Sequence, residues 1–493
     1  MNQLPPHDPP GCRRVFSWHS WLWLLPLVLF WGPREVAAES YPSASGGTVA
    51  RIEPGLPSVL EQLAPAAWTV PAEEATSPTI EPAEFAPELS MAESACDCGF
   101  WCGYEDGFVV RPVVPEQTPF SLKVNNQNTF RYSGFARGAS SWVDSAGQVV
   151  PITNSGEFLI PRGRLIFTGN ALLPQLSYLL NIDYNTVGRN PIGFRAFALS
   201  YQFSRALEVS VGQNKVPGSR EWILSSWVAQ EGPDRSMATT FFRPSLSQGI
   251  WARGQPLDGV YYHAMLANGF NTLNLTPGQF SNRLCWSDSI WWEPWGDFGS
   301  GYADVEDHQQ LVMRTGTSFT FAFGPGNQAN GDSAENSALR LSDGTLISQT
   351  GALAPGVTLQ RYDISLVAFD LAFKRRGFSV SSEFYFQQLS SLRGDGPLPF
   401  DSTSARGGFL QGGYFVLPQR VEVYARTSFV TGAYGSGTEI AGGCQWFVLP
   451  GKSNLRLTFD VADLESSPAD QNRTGFVAGQ TGVLFRTQIN SSF

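Results

Sequence analysis

Charged side chains are scarce in this 493-residue chain, and no hydrophobic run is long enough to cross a membrane as a helix. Asp, Glu, Lys and Arg make up 15% of the residues, against about 25% in typical soluble domains. The missing apolar run excludes a polytopic helical membrane protein, and the net charge of −10 argues against a general nucleic-acid binder. Aromatic residues reach 13%, which excludes disorder throughout the chain. A large β-rich protein, or one of several smaller domains, remains.

The N-terminus has the pattern of an export signal. Arg13 and Arg14 precede an apolar stretch at 21–31, and small residues at Val36 and Ala38 form a cleavage site before Glu39. An anchoring helix is the alternative, but the apolar part is too short to span the hydrocarbon of a bilayer. We therefore predict a signal peptide over 1–38.

A Pro-, Ala- and Glu-rich segment follows at 39–107 and carries twelve acidic residues against one basic residue. This composition predicts a solvated, extended periplasmic or linker segment. It also contains the sequence CDCGFWC, with Cys96, Cys98 and Cys102. Thiolates at this spacing could share a metal ion or form a redox site. A local disulfide or an interaction knuckle in an oxidising compartment is the plainer interpretation.

The body at 108–493 is neutral, with 29 basic and 29 acidic residues, and it alternates apolar and polar side chains with the period of a β-strand. The polar face contains little Lys and mixes Arg with acids, hydroxyls and amides, unlike the water-facing side of a soluble sandwich. Loops rich in Gly, Asn, Asp and Pro separate the strands, and aromatic residues lie near strand ends. These features predict an all-β, antiparallel transmembrane β-barrel of the bacterial outer membrane.

The C-terminal residue is Phe493, which ends an amphipathic strand, GVLFRTQINSSF. A C-terminal aromatic residue in this position looks like the signal that barrel-assembly machinery reads. We therefore predict Phe493 as the assembly signal.

Motifs for catalysis are missing: the chain has no G-x-S-x-G, Walker loop, H-E-x-x-H or paired C-x-x-C. After removal of the signal peptide only His263 and His308 remain as histidines. His263 alternates with strand residues and is expected to pack or face the barrel interior. His308 lies beside Asp304 and Glu306 and could contact a cation, although a solvated loop explains it as well. We expect neither enzymatic activity nor a cofactor.

The stretch 161–270 resembles the phosphate-selective porin O/P family. The matching blocks, in order, are RGRLIFTGNALLPQLSYLLNIDY, FRAFALSYQF, LEVSVGQNKVPGSREWILSS, DRSMATTFFRP, SQGIWARG and YYHAMLANGF. The most specific element is the G-Q-x-K-x-P block with Gly212, Gln213, Lys215 and Pro217. The resemblance implies a sixteen-stranded barrel that assembles as a homotrimer.

The same resemblance implies residues that hold anions in the pore, a lysine near an aspartate among arginines. These positions fall on Lys215 and Asp183, with Arg164 and Arg220 also placed by the family pattern. Lys215 shares the strand phase of apolar Val211, so it reaches the interior only if a bulge or the strand end intervenes. Strand phase alone adds further candidates for the pore lining: Arg131, Arg426, Arg456 and Arg486. Arginine binds phosphate and carboxylate through two parallel hydrogen bonds.

Lumen acids that pair with these arginines would cancel a net anion field. The sequence therefore favours a passive diffusion channel for small hydrophilic solutes, with an open question of anion or phosphate preference. The alternative is a structural outer-membrane barrel whose acidic segment touches the cell wall. The Trp-rich stretch 285–299 is expected to be a long loop. It could fold inward as a constriction, pack against a neighbouring subunit or bind a carbohydrate, and loop or inter-subunit packing is the plainer interpretation.

Overall fold

The computed structural model describes residues 100–113, 120–188, 192–272, 283–325 and 338–493. The predicted signal peptide (1–38), most of the acidic segment (39–107), and Cys96 and Cys98 lie outside the described residues. Within the described ranges, no helix is long and apolar enough to cross a membrane.

The described chain is built almost entirely from β-strands because aromatic and β-branched residues alternate with small polar ones along it. The strands are β1 (Phe100–Tyr104), β2 (Phe108–Pro112), β3 (Leu122–Arg137), β4 (Ser141–Val143), β5 (Val149–Pro151), β6 (Ser155–Ala171), β7 (Leu173–Tyr184), β8 (Ile192–Ser204), β9 (Leu207–Lys215), β10 (Leu246–Leu257), β11 (Val260–Ala267), β12 (Cys285–Trp292), β13 (Val312–Pro325), β14 (Leu359–Arg375), β15 (Phe378–Gly394), β16 (Thr403–Leu417), β17 (Val421–Gly432), β18 (Gly435–Phe447), β19 (Leu455–Glu465) and β20 (Gly482–Ser492). Two short helices, α1 (Arg220–Ile223) and α2 (Met237–Phe242), lie between β9 and β10.

Sixteen of these strands form one closed antiparallel barrel. β3 pairs with β6, each strand from β6 to β20 pairs with the next, and β20 returns to pair with β3. Closure leaves no free sheet edge around the wall. The predicted all-β antiparallel barrel is therefore confirmed, including the strand number that the family resemblance implied.

The two faces of the wall differ in polarity as strand phase predicts. Along β19, Phe459 is 47% exposed on the outside, whereas Arg456 and Asp460 are buried on the inside. The same alternation holds along β15, β17 and β20. An apolar outer band around a polar interior is the arrangement of a barrel that sits in lipid.

The start of β3 and the end of β20 lie on the same side of the barrel, which is the side where short turns join the strands. β14 and β15, for example, are joined by two residues, Arg376 and Gly377, both at positive φ (49° and 76°). This is the turn geometry whose twist matches antiparallel strands. The C-terminal Phe493 exchanges backbone hydrogen bonds with Asn126 on β3 at 2.7 and 3.1 Å, so it extends the closing seam just beyond β20.

A hairpin of β1 and β2 continues this seam. β2 pairs with the first residues of β3, from Val110↔Leu122 to Phe108↔Val124, where β20 has ended. The boundary predicted between residues 107 and 108 therefore falls at the turn of this hairpin, and the barrel wall itself begins at β3.

Candidate functional site: the barrel lumen

The connection between β9 and β10 folds into the barrel instead of projecting from its rim. We call residues 216–245 the inner segment; they are buried except for a few half-buried positions around Leu224. Its two helices begin at Ser219 and Ser236, whose hydroxyls accept hydrogen bonds from Trp222 N and Thr239 N. These caps stabilise the starts of both helices.

Acidic residues of the wall hold the helix N-termini of the inner segment. The backbone N–H groups of Arg220 and Glu221 donate to the Glu383 carboxylate on β15 at 2.7 and 3.0 Å. Met237 N donates to Glu439 on β18 at 2.8 Å. Free N–H groups at a helix start favour carboxylates, so the lumen acids position the inner segment.

Asp234 of the inner segment forms ion pairs with two arginines of the barrel wall. Arg162 donates to both of its carboxylate oxygens, at 2.6 and 2.9 Å, and Arg131 donates to Oδ2 at 3.0 Å. Burial alone would raise the pKa of Asp234, but the positive charges of Arg162 and Arg131 hold that pKa well below its ordinary value. Asp234 is therefore an anion bound between two guanidinium groups.

The pore-lining arginines predicted from strand phase all point into the lumen, where they contact protein. Arg131 and Arg486 are 0% exposed, Arg456 1% and Arg426 3%. Arg426 donates to Glu439 and to the Asp234 backbone carbonyl, and Arg456 donates to the carbonyls of Gln230 and Trp227. Arg486 pairs with Asp460 through two hydrogen bonds of 2.8 and 2.6 Å. In this conformation each of the four arginines donates hydrogen bonds to the inner segment or to a lumen acid.

Lys215 is the last residue of β9. Its strand phase alone would point it outward with Val211, but because the strand ends here its ammonium group reaches the barrel interior. Nζ donates to the backbone carbonyls of Trp222, Ile223 and Leu224 at 2.8–2.9 Å. Lys215 thus interacts with the C-terminal end of α1, where the carbonyls of a helix favour a cation.

The other residues placed by the family resemblance are buried ion-pair partners. Asp183 on β7 pairs with Arg473 and, at 3.5 Å, with Arg164 on β6. Arg220 stacks over the rings of Phe298 and Tyr302, with its guanidinium carbon 5.1 and 4.8 Å from their centroids. All of them are inside the barrel.

The Trp-rich stretch 285–299 was expected to be a loop, and this expectation is wrong for its first half. Cys285–Trp292 is β12, a wall strand paired with β11 and β13. The strand was missed in the sequence because its outer face contains an acidic residue, Asp288, which interrupts the row of apolar side chains expected there. Trp286 lies on the same face and donates a hydrogen bond to Asp288 (Nε1 to Oδ1, 2.8 Å). An acid on the outer face of a barrel is unfavourable in lipid, and this one is partly paired.

The remainder of that stretch belongs to the connection 293–311, which fills the lumen from the short-turn end. Phe298 and Tyr302 are 1% exposed, and Tyr302 N donates to the Ala229 carbonyl of the inner segment at 3.0 Å. Burial raises the pKa of Tyr302 well above its ordinary value. The connection and the inner segment therefore meet inside the barrel.

His308 lies in the same connection, and its surroundings test the cation interpretation. Potential ligand atoms of Asp304, Glu306 and His308 lie within 4.8 Å of one another. His308 Nδ1, however, is hydrogen-bonded to Asp304, and Glu306 lies 3.4 Å from Lys374 Nζ. These contacts explain the cluster as hydrogen bonds and an ion pair that hold the connection 293–311 in place.

Part of the lumen is not filled. A cavity of about 530 Å³ lies between the hairpin and the inner faces of β6–β11. Its polar lining includes Lys123, Asn170, Ser210, Arg253 and His263, so His263 faces the interior as predicted. This space is the water-accessible section of the barrel nearest to the hairpin.

Three described cysteines have no disulfide partner among the described residues. Cys102 on β1 and Cys444 on the outer face of β18 are exposed, whereas Cys285 is buried at the start of β12. The proposed role of the CDCGFWC cluster stays a prediction, because Cys96 and Cys98 lie outside the described residues.

Sequence reasoning missed two central residues, Arg162 and Asp234. Arg162 has the same strand phase as Arg164 and could have been found by counting in twos along β6. Asp234 had no such signal, because it belongs to a segment without strand periodicity whose position depends on contacts with distant strands.

No family model matches the sequence, and no curated protein matches it. Among solved structures, the chain is similar to OmpF of Salmonella typhi in complex with daunomycin (11% identity, 80% of this chain and 100% of that chain covered, TM-score 0.49). It is also similar to an anion-selective porin from Comamonas acidovorans (13%, 76% and 100%, 0.45) and to the outer membrane channel DcaP of Acinetobacter baumannii (10%, 76% and 97%, 0.46). Likeness at this level transfers neither a solute nor an assembly, and the fold rests on the strand pairing described above.

Proposed function

We propose that the protein is a porin-like channel of the bacterial outer membrane that lets small hydrophilic solutes diffuse passively. The observation that carries this proposal is the closed sixteen-stranded barrel with an apolar outer face and a polar, arginine-rich interior. Solutes would follow their concentration gradient through water in the lumen, biased by the charges of the lining. No catalytic step or cofactor is part of the proposal.

A preference for anions, including phosphate, is the finer part of the proposal. Its candidate residues are Lys215, Asp183, Arg131, Arg164, Arg220, Arg426, Arg456 and Arg486. Guanidinium groups favour this preference because they stay charged and bind oxyanions through paired hydrogen bonds. Lumen acids such as Asp234 and Asp460 oppose it, so we expect a weak preference as long as the pairs stay closed.

We further propose export by the signal peptide, insertion by the barrel-assembly machinery through Phe493, and assembly as a homotrimer. The exposed position of Phe493 at the closing seam supports its role as a recognition signal. The acidic segment at 39–107 would then lie on the periplasmic side, because short turns face the periplasm in barrels of this kind.

One observation favours a second function, a structural barrel that links the membrane to the cell wall. The predicted pore arginines are enclosed by the inner segment and by the connection 293–311. A lumen that stays filled would not conduct.

Conductance of the purified protein in planar bilayers, under a salt gradient and with phosphate titrated in, separates these functions. Stepwise conductance is expected, with a reversal potential shifted modestly toward anions. Block by phosphate would establish a phosphate-binding pore, and conductance indifferent to phosphate would establish a general porin. Folded protein without conductance would contradict the channel and favour the structural barrel.

A further inference from the structure

Two arginines of neighbouring wall strands are brought together inside the barrel. Thr129 on β3 pairs with Arg162 on β6, and Arg131 pairs with Leu159, so β6 has one extra residue between these pairs. This β-bulge places the Arg162 side chain beside Arg131, and the exposed fractions are 2% and 0%. Two enclosed guanidinium groups this close repel each other and require an anion between them.

The anion is the carboxylate of Asp234, which belongs to the inner segment and not to the wall. Arg162 holds it through a two-point fork, and Arg131 adds a third hydrogen bond to Oδ2. Gln488 of β20 fixes Arg131 from the other side, accepting from Nε at 2.7 Å. The two cations are therefore oriented from the wall, while their counter-anion arrives on a separate part of the chain.

The site also has a donor that Asp234 does not use. Arg162 Nε is buried and has no hydrogen-bond acceptor in the described part of the chain. A carboxylate has two oxygens, whereas phosphate and sulfate have four and can accept from more donors at once. Asp234 thus leaves one buried donor of Arg162 without an acceptor among the described residues.

We propose that Arg131 and Arg162 form an oxyanion-binding site that Asp234 occupies as a built-in ligand, and that a solute oxyanion such as phosphate replaces Asp234 when the inner segment moves. The two arginines need an anion in either arrangement, so exchange of one anion for another avoids leaving them uncompensated. The effect on flux rests on the proposed channel function, but the binding itself does not.

The test is Asp234→Asn, which keeps the shape of the side chain and removes its charge. Inorganic phosphate, titrated at constant ionic strength, should raise the thermal unfolding temperature of this variant in a saturable manner and leave the parent protein almost unchanged. Adding Arg162→Gln to the variant should abolish the effect. The matched control is Asp460→Asn, which removes an equally buried carboxylate but leaves one arginine, Arg486, instead of two.

An Asp234→Asn variant that ignores phosphate, or an equal response in Asp460→Asn, would overturn the proposal. If Asp234→Asn does not fold without anions, refolding is compared with and without phosphate. Rescue by phosphate supports the site, and failure in both conditions, with Asp460→Asn folding normally, contradicts it. If a variant binds phosphate saturably but never conducts, the oxyanion-binding site is supported and only the channel function is contradicted.

Discussion

At the scale of single residues, enclosed ion pairs tie the lumen together. Arg486 and Asp460 face each other on β20 and β19, and both side chains are 0% exposed. Tyr424 donates a further hydrogen bond to Asp460 at 3.1 Å. Removing one member of such a pair leaves a charge in a medium of low dielectric, which costs far more than the pair itself contributes.

We therefore expect Arg486→Gln to lower the free energy of unfolding by about 3–5 kcal/mol. Urea unfolding of the refolded barrel in lipid vesicles measures this. The matched control is Arg205→Gln, which removes an arginine from the exposed pair with Asp258 and should cost under about 1 kcal/mol. Equal losses in the two variants would contradict the electrostatic account of the lumen.

Glu231 of the inner segment makes stability depend on pH. Burial raises its pKa to about 7, although the hydrogen bond from Ser379 and the charges of Arg426, Lys374 and Arg220 act in the opposite direction. A carboxyl with a raised pKa in the folded state stabilises the fold below its unfolded pKa, and this contribution is lost as pH rises through about 7.

The wild-type protein should accordingly lose unfolding temperature between pH 5 and pH 8, and Glu231→Gln should lose less. The variant keeps the acceptor for Ser379 and has no charge to bury at alkaline pH. Thermal unfolding at the two pH values gives the result, with exposed Glu465→Gln as the control. A pH slope as steep in Glu231→Gln as in the parent protein would rule out this assignment.

At the scale of elements, strands with a clear two-residue period were predictable and the others were not. The phase of β19 was correct from Leu455 to Val461, because each side of the wall meets a uniform environment, lipid or lumen. β12 was missed because Trp286 and Asp288 interrupt that uniformity. The inner segment was not predictable as a lumen element, since its burial arises from wall strands more than 100 residues away, such as β15 and β18.

The last strand carries a prediction of its own. Phe493 lies beyond β20, is 46% exposed and exchanges two backbone hydrogen bonds with Asn126. Deleting Phe493 should therefore reduce the amount of protein assembled in the outer membrane of cells several-fold, because the proposed recognition signal is lost. Refolding of the purified variant into detergent should be nearly unchanged, since every residue pair between β20 and β3 remains and only the two backbone hydrogen bonds to Asn126 are lost.

Removal of the exposed side chain Phe485, which lies on the outer face of the same strand, serves as the comparison. Phe485→Ala should assemble better in cells than the protein without Phe493. Normal cellular assembly without Phe493 would remove the basis for its role as a signal.

At the scale of the whole molecule, the wall and its contents have separate roles. The wall closes through continuous backbone pairing and presents an apolar band outside. The inner segment is held mainly by side chains: Glu383, Glu439 and Ser428 accept from its backbone N–H groups, and arginines bind its carbonyls. Flux through the barrel should therefore depend on the position of the inner segment, whereas the backbone pairing of the wall does not involve that segment.

A reversible crosslink between the inner segment and the wall tests this claim most directly. Ala238 N donates to Ser428 Oγ on β17 at 3.0 Å, so the two residues are in contact. The double variant Ala238→Cys/Ser428→Cys is oxidised in a background where the native cysteines are replaced by Ser, and loss of free thiols verifies that the disulfide has formed. Conductance of this protein in planar bilayers is measured before and after a reducing agent is added, with each single-cysteine variant as a control. We predict little or no conductance when the crosslink is closed and conductance at the level of the controls after reduction; equal conductance in both states would contradict the account.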